Sequence, residues 1–328
     1  MDRKRSGTVP KLLVALERAP APEGASDRTS ALEADARQAV VAGGGAVVDD
    51  GGQADGVVWL GGPEGLREIL AAHPEARWVQ LPHAGIERVV EAGVIADPRF
   101  AGLTWTSAKG SYAKPVAEHA LALALAGLRH LPERARATSW GERAGTSLYG
   151  ADVTILGAGG IAQELLRLLA PFGTTATVVR RGPKPLAGAA RVLTTAELPA
   201  ALPEALVVFV ALALVPETVH VIGEKELSLM GRHAWLVNVA RGRHVDTLAL
   251  VEALRAGRIG GAALDVTDPE PLPDGHPLWS LPNCLITPHT ADTEEMIRPL
   301  LAERIKQNVE RFAAGLPLLG VVDPVAGY

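Results

Sequence analysis

An apolar strand candidate, Val153-Thr154-Ile155-Leu156, runs without a break into Gly157-Ala158-Gly159-Gly160-Ile161-Ala162 and then into an Ala/Leu-rich helical stretch. That order leaves few folds open, because the turn must be tight and the helix must pack back on the strand. In the G-x-G-x-x-A spacing, Gly157 permits the turn, Gly159 lets the backbone approach a bulky anion, and Ala162 allows close helix packing. The amides at the helix start, including those of Gly160 and Ile161, then face a pyrophosphate. The reading is a dinucleotide-binding βαβ unit, with a purely structural tight turn as its competitor.

The rest of the chain repeats the alternation. Strand candidates at Leu12–Leu16, Ala46–Val48, Val57–Leu60 and Trp78–Leu81 are separated by helix-forming stretches at Thr29–Val41 and Pro63–Ala72. A second series runs through Val153–Leu156, Ala176–Val179, Leu206–Val210, Ala234–Asn238, Gly261–Leu264 and Cys284–Thr287. Strands alternating with helices predict parallel sheets with crossover helices, and six such strands make a full dinucleotide fold. Between the two series lies Lys114-Pro115-Val116-Ala117-Glu118-His119, opening an apolar helix to Leu128. After Thr290 the chain turns helical again through Phe312 and returns to the first unit. The predicted architecture is α/β, with two Rossmann-like doubly wound parallel-sheet domains. A dinucleotide-binding domain over 113–292 is inserted into a split substrate domain over 1–112 and 293–328.

Composition narrows the function class. The 32 basic and 37 acidic residues are mixed along 328 positions for a net charge of −5, which offers no field for nucleic acid or an anionic membrane. The apolar run around Leu121–Leu128 falls short of the roughly 20 residues that span a bilayer. One cysteine, Cys284, forms no internal disulfide, and the start Met-Asp-Arg-Lys-Arg has no apolar signal core behind it. The expected compartment is the cytoplasm, the expected ligands are small molecules, and no metal site is assigned.

The end of the strand after the glycine turn normally carries an acid for the adenosine ribose hydroxyls. Here Val178-Val179 leads into Arg180-Arg181-Gly182. Two guanidinium groups in place of a carboxylate suit a ribose 2'-phosphate, so NADP(H) is the preferred cofactor. NAD(H) stays possible, with the arginines then a solvated loop charge.

Three later strand ends carry the chemistry. Trp235–Asn238 leads to Val239-Ala240-Arg241-Gly242, Gly261–Leu264 to Asp265 and then Asp268-Pro269-Glu270-Pro271-Leu272, and the last strand to Pro288-His289-Thr290. Carboxyl ends of neighbouring parallel strands converge on one crevice, so Arg241, Glu270 and His289 can meet. Reducing a 2-oxoacid needs a cation for its carboxylate and carbonyl, a hydride donor, and a proton donor for the new alkoxide. Arg241 supplies a planar fork of donors, and His289 paired with Glu270 supplies a proton. Singly, each residue also reads as structure: a surface ion-pair arginine, a turn carboxylate between prolines, a satisfied histidine. Their order, each after a strand, favours the joint reading.

The N-V-A-R-G, D-P-E-P-L and P-H-T segments resemble those of the D-isomer-specific 2-hydroxyacid dehydrogenases, and the resemblance covers nearly the whole chain. It implies a split substrate domain, homodimers, and catalytic roles at Arg241, Glu270 and His289. It further implies that Ala84, Gly85 and Ile86, with Arg241, contact the substrate carboxylate. Asp265 then contacts the nicotinamide carboxamide, and Val239, Ala240 and Val116 lie around the cofactor. Ala211-Leu212-Ala213-Leu214 and Asp292 depart from the pattern of many relatives. Trp279, in His276-Pro277-Leu278-Trp279, is either a limit on substrate size or simple packing.

The implied activity is NAD(P)H-dependent interconversion of a 2-oxoacid and a D-2-hydroxyacid, with glyoxylate or hydroxypyruvate first among substrates. Two alternatives remain. One is a nucleotide-sensing, corepressor-like binding protein. The other is a phosphoglycerate-type dehydrogenase, less expected because only a return helix and a short tail follow His289.

Overall fold

The computed structural model describes residues 9–16 and 26–323. It divides into two compact units, one of residues 1–112 with 293–328 and the other of Ala113–Asp292.

The first unit opens with β1 (Lys11–Ala15), α1 (Ser26–Ala42), β2 (Ala46–Val48) and β3 (Gly56–Trp59). It continues through α2 (Leu66–Ala72), β4 (Trp78–Gln80), α3 (Glu87–Glu91) and β5 (Thr104–Thr106). Five parallel strands pair in the order β2-β1-β3-β4-β5. β3 and β4 are wholly buried. That is why they read as apolar runs without alternation: a parallel strand covered on both faces has no solvent side.

The second unit begins with α4 (Ala113–Leu128), α5 (Leu131–Arg136), β6 (Asp152–Leu156), α6 (Gly160–Leu169), β7 (Thr175–Arg180), β8 (Arg191–Thr194) and α7 (Leu198–Ala201). Then come β9 (Val207–Val210), α8 (Glu224–Leu229), β10 (Trp235–Asn238), α9 (Thr247–Arg255), β11 (Gly261–Leu264) and β12 (Cys284–Ile286). The order is β12-β11-β10-β9-β6-β7-β8, all parallel. The strand order reverses between β6 and β9, the point at which doubly wound sheets take ligands.

The core lies on the sheet faces, where Leu156, Val208, Leu236 and Leu264 are buried beside Leu250 and Leu254 of α9. On α4, Gly127 makes room for the indole of Trp235, since a Cβ there would fall 2.3 Å from the ring. The last helix, α10 (Glu294–Ala313), belongs to the first unit. It packs along α1, with Arg298 paired to Asp35 at 2.8 Å. Its buried Asn308 donates to Gln80 Oε1 of β4 at 2.9 Å.

Several elements go beyond the sequence expectation, α5 among them. The second sheet has seven strands where six are predicted, because β8 is a half-buried edge strand with little apolar contrast. In the first unit, β5 and α3 span only three and five residues and carry too short a pattern to read. Among the described residues, no helix is long and apolar enough to cross a membrane.

Candidate active site

At the reversal point β6 delivers the chain to Gly157, whose φ of +113° is open to glycine alone. A side chain there would also collide with β9's exit, since a Cβ would lie 2.2 Å from the Ala211 carbonyl oxygen. Over Gly159 the space is open, with nothing within 4 Å of an added Cβ. Gly159 caps α6 without a side-chain acceptor. The amides of Gly160 and Ile161 meet no acceptor among the described residues. The turn thus offers unpaired donors beneath an open cradle, which fits a pyrophosphate.

The neighbouring strand β7 ends at Arg180, with Arg181 exposed after it. Arg180 Nη1 donates to the Lys184 carbonyl at 3.3 Å, so its guanidinium lies along the loop leaving the strand.

On the other side of the reversal, β10, β11 and β12 end side by side. Asn238 closes β10 buried, and its amide braces the exit. Its Nδ2 donates to the Arg241 carbonyl at 2.9 Å, and its Oδ1 accepts from Ala240 N at 3.1 Å. Arg241 Nη1 donates to the Ala240 carbonyl at 2.7 Å, and the Arg241 amide donates to Nδ1 of buried His244 at 3.2 Å. Val239 and Ala240 are buried in this exit, and Val116 on α4 is buried as well. Gly242 is required by close approach, because a Cβ there would lie 1.9 Å from the Thr267 carbonyl oxygen.

His289 Nδ1 meets Glu270 Oε1 at 2.7 Å. Both side chains are about two-fifths exposed, so the pair faces outward. Glu270 Oε2 accepts the Thr267 amide at 3.3 Å, and the His289 amide donates to the Asp265 carbonyl at 2.8 Å. His289 adopts a φ of +51°, unusual for a residue with a side chain. Such strain persists where surrounding bonds over-determine it.

Those bonds converge on Asp265, buried at the end of β11. Its Oδ1 accepts Thr287 Oγ1 at 2.6 Å and Thr290 N at 2.9 Å, with His119 Nε2 at 3.2 Å, and its Oδ2 accepts Ala291 N at 3.1 Å. Burial alone raises this carboxyl, but His119, Thr287 and the two amides outweigh it and hold it at about 2. Asp292 behaves oppositely. Burial pushes its carboxyl up, Asp265 adds to the rise, and His289 and Arg241 oppose it. One carboxyl that responds to both Arg241 and His289 puts the two side chains in its neighbourhood.

Ala84, Gly85 and Ile86 belong to the first unit, between β4 and α3. The preceding carbonyls are all engaged: Pro82 O by the Tyr112 hydroxyl at 2.5 Å, His83 O by Ala108 N at 2.9 Å, and Ala84 O by Ser107 Oγ at 3.5 Å. The amides of Ala84, Gly85 and Ile86 meet no acceptor among the described residues. Carbonyls bound and amides unbound make this turn a suitable anion holder. Trp279, 46% exposed, donates from Nε1 to the Pro273 carbonyl at 3.0 Å. Among the described residues, no group of three or more His, Cys, Asp or Glu side chains could hold a metal ion.

The sequence reading passes over His119, Thr287 and Gly242 and notes Asp292 only as a departure. His119 leaves one signal, a lone imidazole in an Ala/Leu helix. Gly242 leaves none, because the backbone it must clear is 25 residues away along the chain.

The sequence profile of the D-isomer specific 2-hydroxyacid dehydrogenase NAD-binding domain matches residues 120–291, just over half the chain. A glyoxylate reductase of Aeropyrum pernix is 35% identical over 260 residues, which are 76% of this chain and 76% of that protein. The crystal structure of a D-isomer specific 2-hydroxyacid dehydrogenase from Xanthobacter autotrophicus Py2, in complex with NADPH and MES, superposes with a TM-score of 0.76 at 30% identity, over 98% of this chain and 100% of that one. An NADPH-dependent glyoxylate/hydroxypyruvate reductase of Sinorhizobium meliloti, in complex with NADP and sulfate, gives 0.75 at 25% identity, over 97% and 100%. With two parallel α/β sheets and the segments carrying Arg241, Glu270 and His289, the chain belongs to the D-isomer-specific 2-hydroxyacid dehydrogenase family.

Proposed function

We propose that the protein is an NADPH-preferring reductase that converts a small 2-oxoacid to its D-2-hydroxyacid, glyoxylate and hydroxypyruvate being the first candidates. The observation that carries the reading is the 2.7 Å contact between His289, which follows β12, and Glu270, which follows β11, the strand between β12 and the β10 that leads to Arg241. The chemistry named for the A. pernix and S. meliloti relatives supports the substrate class. Within this reading, 113–292 is the dinucleotide-binding domain and 1–112 with 293–328 the substrate domain. The working form is a cytoplasmic homodimer.

When bound, the nicotinamide supplies the hydride. Arg241 holds the substrate carboxylate with its fork of donors and polarises the carbonyl oxygen. His289 gives a proton from Nε2 to the new alkoxide, while Nδ1 stays on Glu270. The carboxylate fixes the ring through that contact. General acid catalysis of this kind contributes roughly 100- to 10,000-fold. Gly157, Gly159, Gly160 and Ile161 take the pyrophosphate. Arg180 and Arg181 take the ribose 2'-phosphate, and NAD(H) is the second cofactor. Val239, Ala240 and Val116 would line the nicotinamide side, and Asp265 would contact the carboxamide. The amides of Ala84, Gly85 and Ile86 take the substrate carboxylate.

The test is absorbance loss of NADPH and NADH in parallel with glyoxylate, hydroxypyruvate, pyruvate and bulkier 2-oxoacids. Turnover favouring NADPH, abolished in His289→Ala and shifted toward NADH in Arg181→Ala, is the expected result. Tight cofactor binding with no turnover on any acid overturns the reading in favour of a nucleotide-sensing binding protein.

A further inference from the structure

His119 stands on α4 among Val116, Ala120 and Leu123, all buried. Its side chain is 23% exposed and Nε2 has two partners: Asp265 Oδ1 at 3.2 Å and Thr287 Oγ1 at 3.0 Å. Thr287 donates its own proton to Asp265 Oδ1 at 2.6 Å, so its oxygen is left to accept. Both atoms facing Nε2 are therefore acceptors, and the proton belongs on Nε2, where it is shared between them. With that proton in place, three elements meet at one carboxylate: α4 through His119, β11 through Asp265 and the β12 exit through Thr287.

The same carboxylate holds the Thr290 and Ala291 amides, and the Asp265 carbonyl holds the His289 amide. Four bonds to one residue thus fix 287–291 around a strained His289. Without His119, Asp265 keeps its loop partners but loses the donor that fixes it from the helix side. Thr287 loses the donor that directs its hydroxyl toward Asp265. The Thr287 hydroxyl then regains rotamer freedom and the turn loses its tie to α4, and misplacement of a reacting group by about 1 Å can cost on the order of 100-fold in rate.

We infer that His119 is a positioning residue: through Asp265 and Thr287 it holds the 287–291 turn that presents His289 to Glu270. This rests on the reading of His289 as proton donor. The bonds of His119 go to Asp265 and Thr287, and it acts through the turn.

Two substitutions separate the donor from the volume. His119→Gln places an amide N–H where Nε2 stands, and His119→Leu fills the space without a donor. Each is compared with wild type in NADPH-dependent glyoxylate reduction from pH 5.5 to 9. Hydrogen–deuterium exchange of the peptide containing residues 287–291 is measured on the same samples. His119→Leu is expected to lower kcat about 10- to 100-fold, with KM for glyoxylate changed less than about 3-fold, and to speed exchange of the Thr290 and Ala291 amides. His119→Gln is expected to restore slow exchange and most of kcat, with a pH profile superposing on wild type.

The inference is overturned if His119→Leu leaves exchange and kcat as in wild type, or if His119→Gln is as impaired as His119→Leu. It also falls if His119→Gln moves the pH profile, because His119 would then titrate in turnover itself. Should wild type reduce no 2-oxoacid, the proposed function fails, and the exchange comparison alone decides whether His119 holds the turn.

Discussion

Glu270 Oε1 lies 2.7 Å from His289 Nδ1 although the two residues leave different strands and are joined by no other side-chain bond. The contact engages Nδ1, and on the proposed mechanism Nε2 is the nitrogen that faces substrate. On the proposed mechanism the carboxylate accepts from Nδ1 and fixes the ring, and an amide at this position can turn its N–H to Nδ1 instead. Glu270→Gln should therefore lower kcat for reduction about 10- to 100-fold. Initial rates of NADPH oxidation check this, and an unchanged kcat would leave Glu270 a structural acceptor.

Asp265 makes a prediction about stability. Its carboxyl is depressed to about 2 in the folded protein, against an ordinary value of 3.8. The folded state therefore binds the proton less readily than the unfolded one. The stabilisation is present above the ordinary value and is lost as pH falls from about 4 toward 2. At about 1.4 kcal/mol per unit the effect is on the order of 2 kcal/mol. Asp265→Asn should lower the urea midpoint at pH 7, and the gap from wild type should shrink at pH 3. A gap constant across that range would mean that the amide hydrogen bonds, and not the charge, carry the effect.

How much of this was legible in the sequence follows from what each residue depends on. The strand-glycine-helix unit is local, so Gly157 and Gly159 announce themselves within a dozen residues. Arg241, Glu270 and His289 are readable because each follows an apolar run, and parallel strands put their carboxyl ends on one edge. His119 is different: its partners lie 146 and 168 residues away, and no spacing encodes them. Gly242 fails for the same reason, as its constraint is the backbone of Thr267. β8 was missed because an edge strand is only half covered and lacks the continuous apolar run of its buried neighbours.

Asp292 gives the opposite sign to Asp265. Burial raises its carboxyl, so the folded state favours the protonated form and loses stability as pH rises through the carboxylate range. Asp292→Asn should melt higher than wild type at pH 7.5, and the difference should close below pH 4. Thermal melts at the two pH values test this. A variant that melts lower at pH 7.5 would mean that the charged form is stabilised by its cations.

The Tyr112 hydroxyl donates to the Pro82 carbonyl at 2.5 Å, at the head of the turn with the Ala84, Gly85 and Ile86 amides. Tyr112→Phe keeps the ring and removes one buried hydrogen bond, worth about 1 kcal/mol. If those amides hold the substrate carboxylate, KM for the 2-oxoacid should rise about 5-fold while kcat changes little, since 1 kcal/mol is about that factor in affinity. Initial rates over a range of glyoxylate decide it. A change in kcat alone would detach the turn from substrate binding.

Gly242 offers the sharpest test of how the site is assembled. An added Cβ would lie 1.9 Å from the Thr267 carbonyl oxygen and 2.5 Å from the Asp268 nitrogen, and neither is the end of a flexible side chain. The backbone of 267–270 must therefore move, and Glu270 moves with it. If Glu270 serves the reaction as proposed, Gly242→Ala should lower kcat at least about 100-fold, the order expected when such a group is displaced by about 1 Å. The glycine turn after β6 is a separate segment, so NADPH affinity measured by quenching of tryptophan fluorescence should stay within about 3-fold of wild type. Loss of both together would mean that the substitution disturbs the whole sheet edge. Loss of turnover with cofactor binding intact would place the damage at the contact between the β10 exit and the segment that carries Glu270.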